Sequence, residues 1–108
     1  MAAAVLGDLE LGFLRSQRIG RLATAGPSGQ PHVMPVMYQV LEDGSLEFDA
    51  DGVKLRNLSS EPRVAFVVDA MGPKRGVAIQ GRASVIGHER ARLQPRRAFS
   101  WGLEPSGS

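Results

Sequence analysis

Hydrophobic and polar positions along the 108 residues follow two periods. Leu6, Leu9, Phe13 and Leu14 recur near helical spacing, so residues 6–17 predict a short amphipathic helix. Residues 18–25 predict a strand, and Gly26-Pro27-Ser28-Gly29 is a turn signal that ends it. Residues 31–41 predict a second strand of an unusual kind. His32, Met34, Val36, Tyr38 and Val40 share one face, while Pro31, Val33, Pro35, Met37 and Leu41 share the other, and both are largely apolar. A strand apolar on both sides has to be covered on both sides. In so short a chain the second cover is expected to be a partner subunit or a ligand. Proline gives no hydrogen bond to a ladder, so Pro35 in mid-strand predicts a local break in pairing, either a bulge or a gap that opens backbone to a ligand.

Glu42-Asp43-Gly44 predicts the next turn. It leads into residues 45–50, where Leu46, Phe48 and Ala50 alternate inward against Glu47 and Asp49. A basic helical turn around Lys54–Leu58 follows, then the break Glu61-Pro62 and a β-branched strand over residues 63–69. Residues 71–74 predict a loop and residues 76–86 a long strand with Val77, Ile79, Gly81, Ala83 and Val85 on one face. Gly81 in its middle predicts a close backbone approach or a bend. After Gly87 the basic stretch predicts one or two helical turns that stop at Pro95, and residues 97–103 predict a last short strand carrying Trp101. Short strands parted by glycine and proline turns, with a helix after the third, predict a mainly β fold: a small barrel with short peripheral helices. Residues 1–103 are expected to form one domain and residues 104–108 a disordered tail.

Composition narrows the function more by exclusion than by signal. There is no cysteine, so disulfides, zinc–thiolate sites and thiol nucleophiles are excluded. No apolar run approaches the roughly 20 residues of a spanning helix, and no membrane role is expected. The opening Met1–Leu6 lacks the basic start of a secretion signal, which leaves the cytoplasm as the expected location. The net charge is +2, with Arg75, Arg82, Arg90, Arg92, Arg96 and Arg97 in the last third. Arginine suits phosphate and carboxylate partners. Aromatic residues are few and are not interleaved with the arginines, so a solvated basic face is preferred over a nucleic-acid site.

Candidate chemistry centres on Lys54. A cation in the first turn of a helix opposes the helix dipole. Either Lys54 is simply solvated with Asp51 as the N-cap, or an anion such as phosphate sits over the helix start. Other catalytic constellations are missing. His32 and His88 lack metal-ligand spacing, no serine shows a nucleophile-elbow pattern, and Asp49 and Asp51 form no catalytic pair by spacing. No catalytic residue and no metal are assigned. Any redox chemistry is expected to come from a cofactor that the protein binds and orients.

Several segments in order carry a resemblance. Arg21-Leu22-Ala23-Thr24, Gly26-Pro27-x-Gly29-x-Pro31-His32-Val33-x-Pro35-Val36, Lys54-x-x-Asn57-Leu58 and Glu61-Pro62-Arg63-Val64-Ala65 resemble the pyridoxamine 5′-phosphate oxidase-like split β-barrel superfamily. Arg75-Gly76-Val77-x-Ile79-x-Gly81-Arg82-Ala83 and Pro95-Arg96-Arg97-x-x-Ser100-Trp101-Gly102-Leu103 look like later motifs of its actinobacterial branch, which binds the deazaflavin F420 rather than FMN. The resemblance implies an FMN-binding split barrel of six to seven strands, Greek-key-like, assembled as a homodimer with the cofactor between the barrels. It places Pro35, Val36 and Met37 against the flavin ring edge, and Asp49, Ala50, Lys54, Arg56 and Asn57 around the phosphate. Arg97 and Trp101 would approach the ring or substrate, or pack in the interface. The implied activity is hydride transfer between reduced F420 and a small organic acceptor, with solvent or Tyr38 as proton source. An FMN-binding oxidase or flavin reductase is the first alternative, and a non-catalytic flavin or heme carrier the second. Asp49 and Asp51 depart from the pattern, since two carboxylates near a phosphate are expected to repel it. The segment between Gly87 and Pro95 looks short for the family, which implies a more open cleft.

Overall fold

In the computed structural model, which describes residues 5–104, two helices and six strands follow in order. Helix α1 spans Asp8–Ser16, and the Gly7 amide donates to the Glu10 carboxylate at 2.8 Å across its first turn. Phe13 and Leu14 turn inward, but Leu9 is exposed. The helix starts only at Asp8, so Leu6 packs from the preceding loop and does not share a helical phase with Leu9. Met1–Ala4 of the opening segment and residues 105–108 of the expected tail lie outside the described residues.

The strands are β1 (Ile19–Ala25), β2 (Pro31–Val40), β3 (Leu46–Asp49), β4 (Arg63–Ala70), β5 (Arg75–Gly87) and β6 (Arg90–Trp101). All neighbours are antiparallel and the sheet closes as β1-β2-β3-β6-β5-β4. Two three-stranded meanders are therefore joined by helix α2 (Gly52–Ser60), which links β3 to β4. Alternation decides what fills the barrel: Leu22, Leu46, Phe48, Val68, Val77, Ile79 and Leu93 are fully buried with Leu14 of α1.

Two expectations are corrected. Pairing is not broken at Pro35: β1 and β2 run in unshifted register from Ile19↔Met37 to Ala25↔Pro31, with Arg21 opposite Pro35. The gap lies on the other side, because β3 pairs only with Tyr38–Val40. The Leu41 amide donates to the Ser45 carbonyl. By strand alternation, the odd-numbered residues of β2 thus turn their amides toward the β3 side. Pro31 and Pro35 fall on that open edge, where a missing N–H costs nothing.

The second correction concerns the basic stretch after Gly87, which is not helical. It is the tight turn His88–Glu89 followed by the single strand β6. Arg90, Ala91, Arg92 and Leu93 alternate out and in, a period of two that the charges obscured. Pro95 sits at a bulge rather than at a helix end. Gln80 faces Arg97 while Gly81 faces Pro95, which leaves Arg96 as the extra residue. A Cβ on Gly81 would fall on the Gln94 carbonyl, so the expected close approach is found here.

The outer face of β2 is bare. Val33 is 60% exposed and Met37 66%, and Ile19, paired with Met37, is also open. Phe99 (67%) is exposed too, but register sets it four strands from Pro35, beyond Ala78, Val67 and Arg21. Among the described residues, no other element of this chain covers the patch.

Candidate functional site

Helix α2 begins with an incomplete cap. Asp51 holds the N-cap position in extended conformation, but its side chain makes no capping hydrogen bond. Its carboxylate instead meets the Lys54 ammonium at 3.3 Å. The reading of a solvated, capped lysine changes accordingly: the Lys54 side chain is only 14% exposed, and Asp51, at the N-cap position, pairs with it instead of capping the helix. The amides of the first turn stay without a side-chain acceptor, and an ammonium carries more donors than one carboxylate uses.

The carboxylates expected to repel a phosphate are each matched by a cation. Asp49 accepts from Arg90 at 2.9 Å, and Arg90 also donates to Gln39 at 3.3 Å. Glu47 next to them is held by Arg92 at 2.6 Å. The sequence places Arg90 among the basic residues of the last third without giving it a partner. Its position opposite Asp49 follows only once β6 is recognised as a strand.

The remaining predicted residues separate by what they touch. Ala50 is fully buried and its amide donates to the Glu89 carbonyl at 2.9 Å, so it is a structural residue of the barrel end. Asn57 is buried and donates to the Thr24 hydroxyl at 3.0 Å, tying α2 to β1. Arg56 is exposed. Of Pro35, Val36 and Met37, the first has no N–H and the second directs its own toward β1 by alternation. Only Met37 has an amide on the side that faces β3. It stands beside Tyr38, the first residue paired with β3, and so at the β2–β3 end where Asp49 leaves the sheet.

Arg97 and Trp101 lie elsewhere on β6. Trp101 sits opposite Gly76, where any Cβ would strike its indole, and packs 6.1 Å from Phe99 between ring centroids. Arg97 instead borders an open groove of 540 Å³ on the outer surface, floored by small residues of β1, β4 and β5. Arg63, Arg82 and Arg96 line it as well; the sequence places Arg82 and Arg96 in its basic last third but assigns none of the three to a site.

Tyr38 is not placed to deliver a proton. Its hydroxyl donates to the Leu14 carbonyl at 2.6 Å, its ring packs edge-on against Phe66, and burial pushes its pKa up to about 12. His32 stands opposite Thr24, and its Nδ1 is buried without a hydrogen-bond partner among the described residues. No group of three or more metal-ligating side chains occurs among the described residues, and no helix there is long and apolar enough to cross a membrane.

Comparison with known proteins bears on this geometry. A family model described as pyridoxamine 5′-phosphate oxidase matches residues 10–102. A 5a,11a-dehydrotetracycline/5a,11a-dehydrooxytetracycline reductase of Streptomyces rimosus is 37% identical over 88% of this chain and 82% of its own length. A conserved hypothetical protein of Mycobacterium tuberculosis has the same fold, with TM-score 0.74 and 26% identity over 96% of this chain and 94% of that one. So does an FAD-binding protein of Mesorhizobium loti, with TM-score 0.76 and 23% identity over 88% of this chain and 94% of that one.

Proposed function

Because the chain belongs to the pyridoxamine 5′-phosphate oxidase family, we propose that it is a homodimeric oxidoreductase that holds the deazaflavin F420 and reduces a small organic acceptor. The observation that carries this reading is the start of α2, where a mostly buried lysine lies beside first-turn amides that no side chain caps. Such a start binds phosphate readily. Pairing of Asp49 with Arg90 and of Asp51 with Lys54 offsets the two carboxylates that stood against an anion there.

In this reading Lys54, the amides of Gly52 and Val53, and the exposed Arg56 hold the cofactor phosphate. Met37 offers the one unspent amide of its segment to the edge of the ring. Asn57 acts indirectly, by fixing α2 against β1 so that Lys54 keeps its place. When bound, F420 supplies a hydride, and the residues of this chain bind and orient it. The accompanying proton comes from solvent, since Tyr38 is committed to Leu14. The bare apolar face of β2 takes a second copy of the chain, which gives the strand its outer cover. The reductase relative supports both the reaction class and a search among flat, oxidised acceptors.

The test is an anaerobic assay of reduced F420 with a panel of acceptors that includes dehydrotetracyclines. Acceptor-dependent loss of reduced deazaflavin is the expected result. No acceptor-dependent oxidation across the panel, with cofactor bound, would leave a carrier rather than a reductase.

A further inference from the structure

The groove bordered by Arg97 presents four arginines against one glutamate. Arg63 and Arg82 face each other directly across β4 and β5, and like charges in that relation are destabilising. Glu61 bonds directly to only one of them: it grips Arg63 at 2.7 and 2.9 Å, and that contact, with a smaller part from the charge of Arg82, holds its carboxyl down at about 2. Arg82, Arg96 and Arg97 make no ion pair and no side-chain hydrogen bond among the described residues. A bulge then adds to the crowding. Before it, the even-numbered residues of β6 face outward and after it the odd-numbered ones do, so Arg96 and Arg97 both come to line the groove. Bulges re-aim side chains in this way next to binding sites, and local rules tend to be broken where function demands it.

The floor between these arginines is apolar and shallow in side chain, made by Ala23, Ala25, Ala65 and Gly81 with Pro31 at one edge. A floor of small side chains leaves room for a flat body, and the groove's volume lies within the range of small-molecule sites. From this combination we propose that the groove binds a planar apolar molecule carrying two or more acidic groups, which Arg82, Arg96 and Arg97 engage. Arginine forks match carboxylates and acidic enolates in geometry as well as charge. The groove is separate from the start of α2, and this inference does not depend on which cofactor, if any, binds there.

Calorimetric titration of the full chain with naphthalene dicarboxylate, and in parallel with the neutral naphthalene dimethanol, tests it. The dianion is expected to bind at least about tenfold more tightly than the diol, as charge-assisted hydrogen bonds require. Added salt should weaken only the dianion. The double variant Arg82→Gln/Arg97→Gln alters exposed side chains outside the core, and it should abolish the preference while leaving the diol unchanged. Equal affinity for the two probes overturns the proposal. So does a preference that survives the double variant and disappears in Lys54→Ala, because the anion would then sit at α2.

Discussion

The Asn57 side-chain amide donates to the Thr24 hydroxyl at 3.0 Å, and both residues are buried where α2 meets β1. Removing the amide leaves a buried hydroxyl without its donor. Asn57→Ala is therefore expected to lower stability by about 1–3 kcal/mol, the usual cost of an orphaned buried polar group. Thermal or urea unfolding measures this, and an unchanged midpoint would show that the tie carries no weight.

Lys54 is expected to behave in the opposite way. Lys54→Met keeps the mostly buried stem and removes only the ion pair to the exposed Asp51, so it should change stability little. Cofactor affinity should fall by about 1.5–3 kcal/mol, the range for a hydrogen bond to a charged group. A dissociation constant equal to that of the unaltered protein would remove Lys54 from the phosphate site.

Tyr38 is the single tyrosine of the chain, so its titration can be followed alone by ultraviolet absorbance. Burial raises its pKa from the ordinary value near 10 to about 12. A raised pKa means that the folded protein holds the proton more firmly than the unfolded chain does. The resulting stabilisation is complete below pH 10 and is lost as pH rises through 12. Folded protein that ionises at the ordinary value would contradict the buried hydroxyl. Tyr38→Phe should also retain reductase activity, since the phenol is no proton donor in this arrangement.

Much of the barrel was legible in the sequence because alternation is a local property. Leu46, Phe48 and Ala50 against Glu47 and Asp49 defined β3, and Gly81 announced the close approach to Gln94. The doubly apolar β2 correctly pointed to an uncovered face. What failed was pairing information. The stretch after Gly87 that ends at Pro95 suggests a basic helix because its charges mask a period of two, whereas β3 and β5 on either side make it a strand. Pro35 suggests a break in pairing because sequence does not show which side of a strand has a neighbour. The same limit hid the Asp49–Arg90 pair and the arginine groove, whose members are distant in sequence and meet only through register.

The apolar face gives a prediction about assembly. Val33 and Met37 on β2, with Ile19 paired opposite Met37, are large apolar side chains exposed together, as monomer surfaces seldom leave them. The protein is expected to be a dimer by light scattering. Val33→Glu, which alters an exposed position of β2, should shift it toward monomer without unfolding it. A monomer at working concentration for the unaltered chain would leave β2 without its proposed cover.

The central claim is that this barrel holds a phosphate-bearing deazaflavin at the start of α2, and calorimetric titration with F420 and FMN in parallel tests it most directly. Binding of F420 at one site per chain, more tightly than FMN, is the result expected. Preference for FMN would keep the site and change the cofactor. If neither binds, the start of α2 is no cofactor site, and the ion pairs of Asp49 and Asp51 serve only the fold.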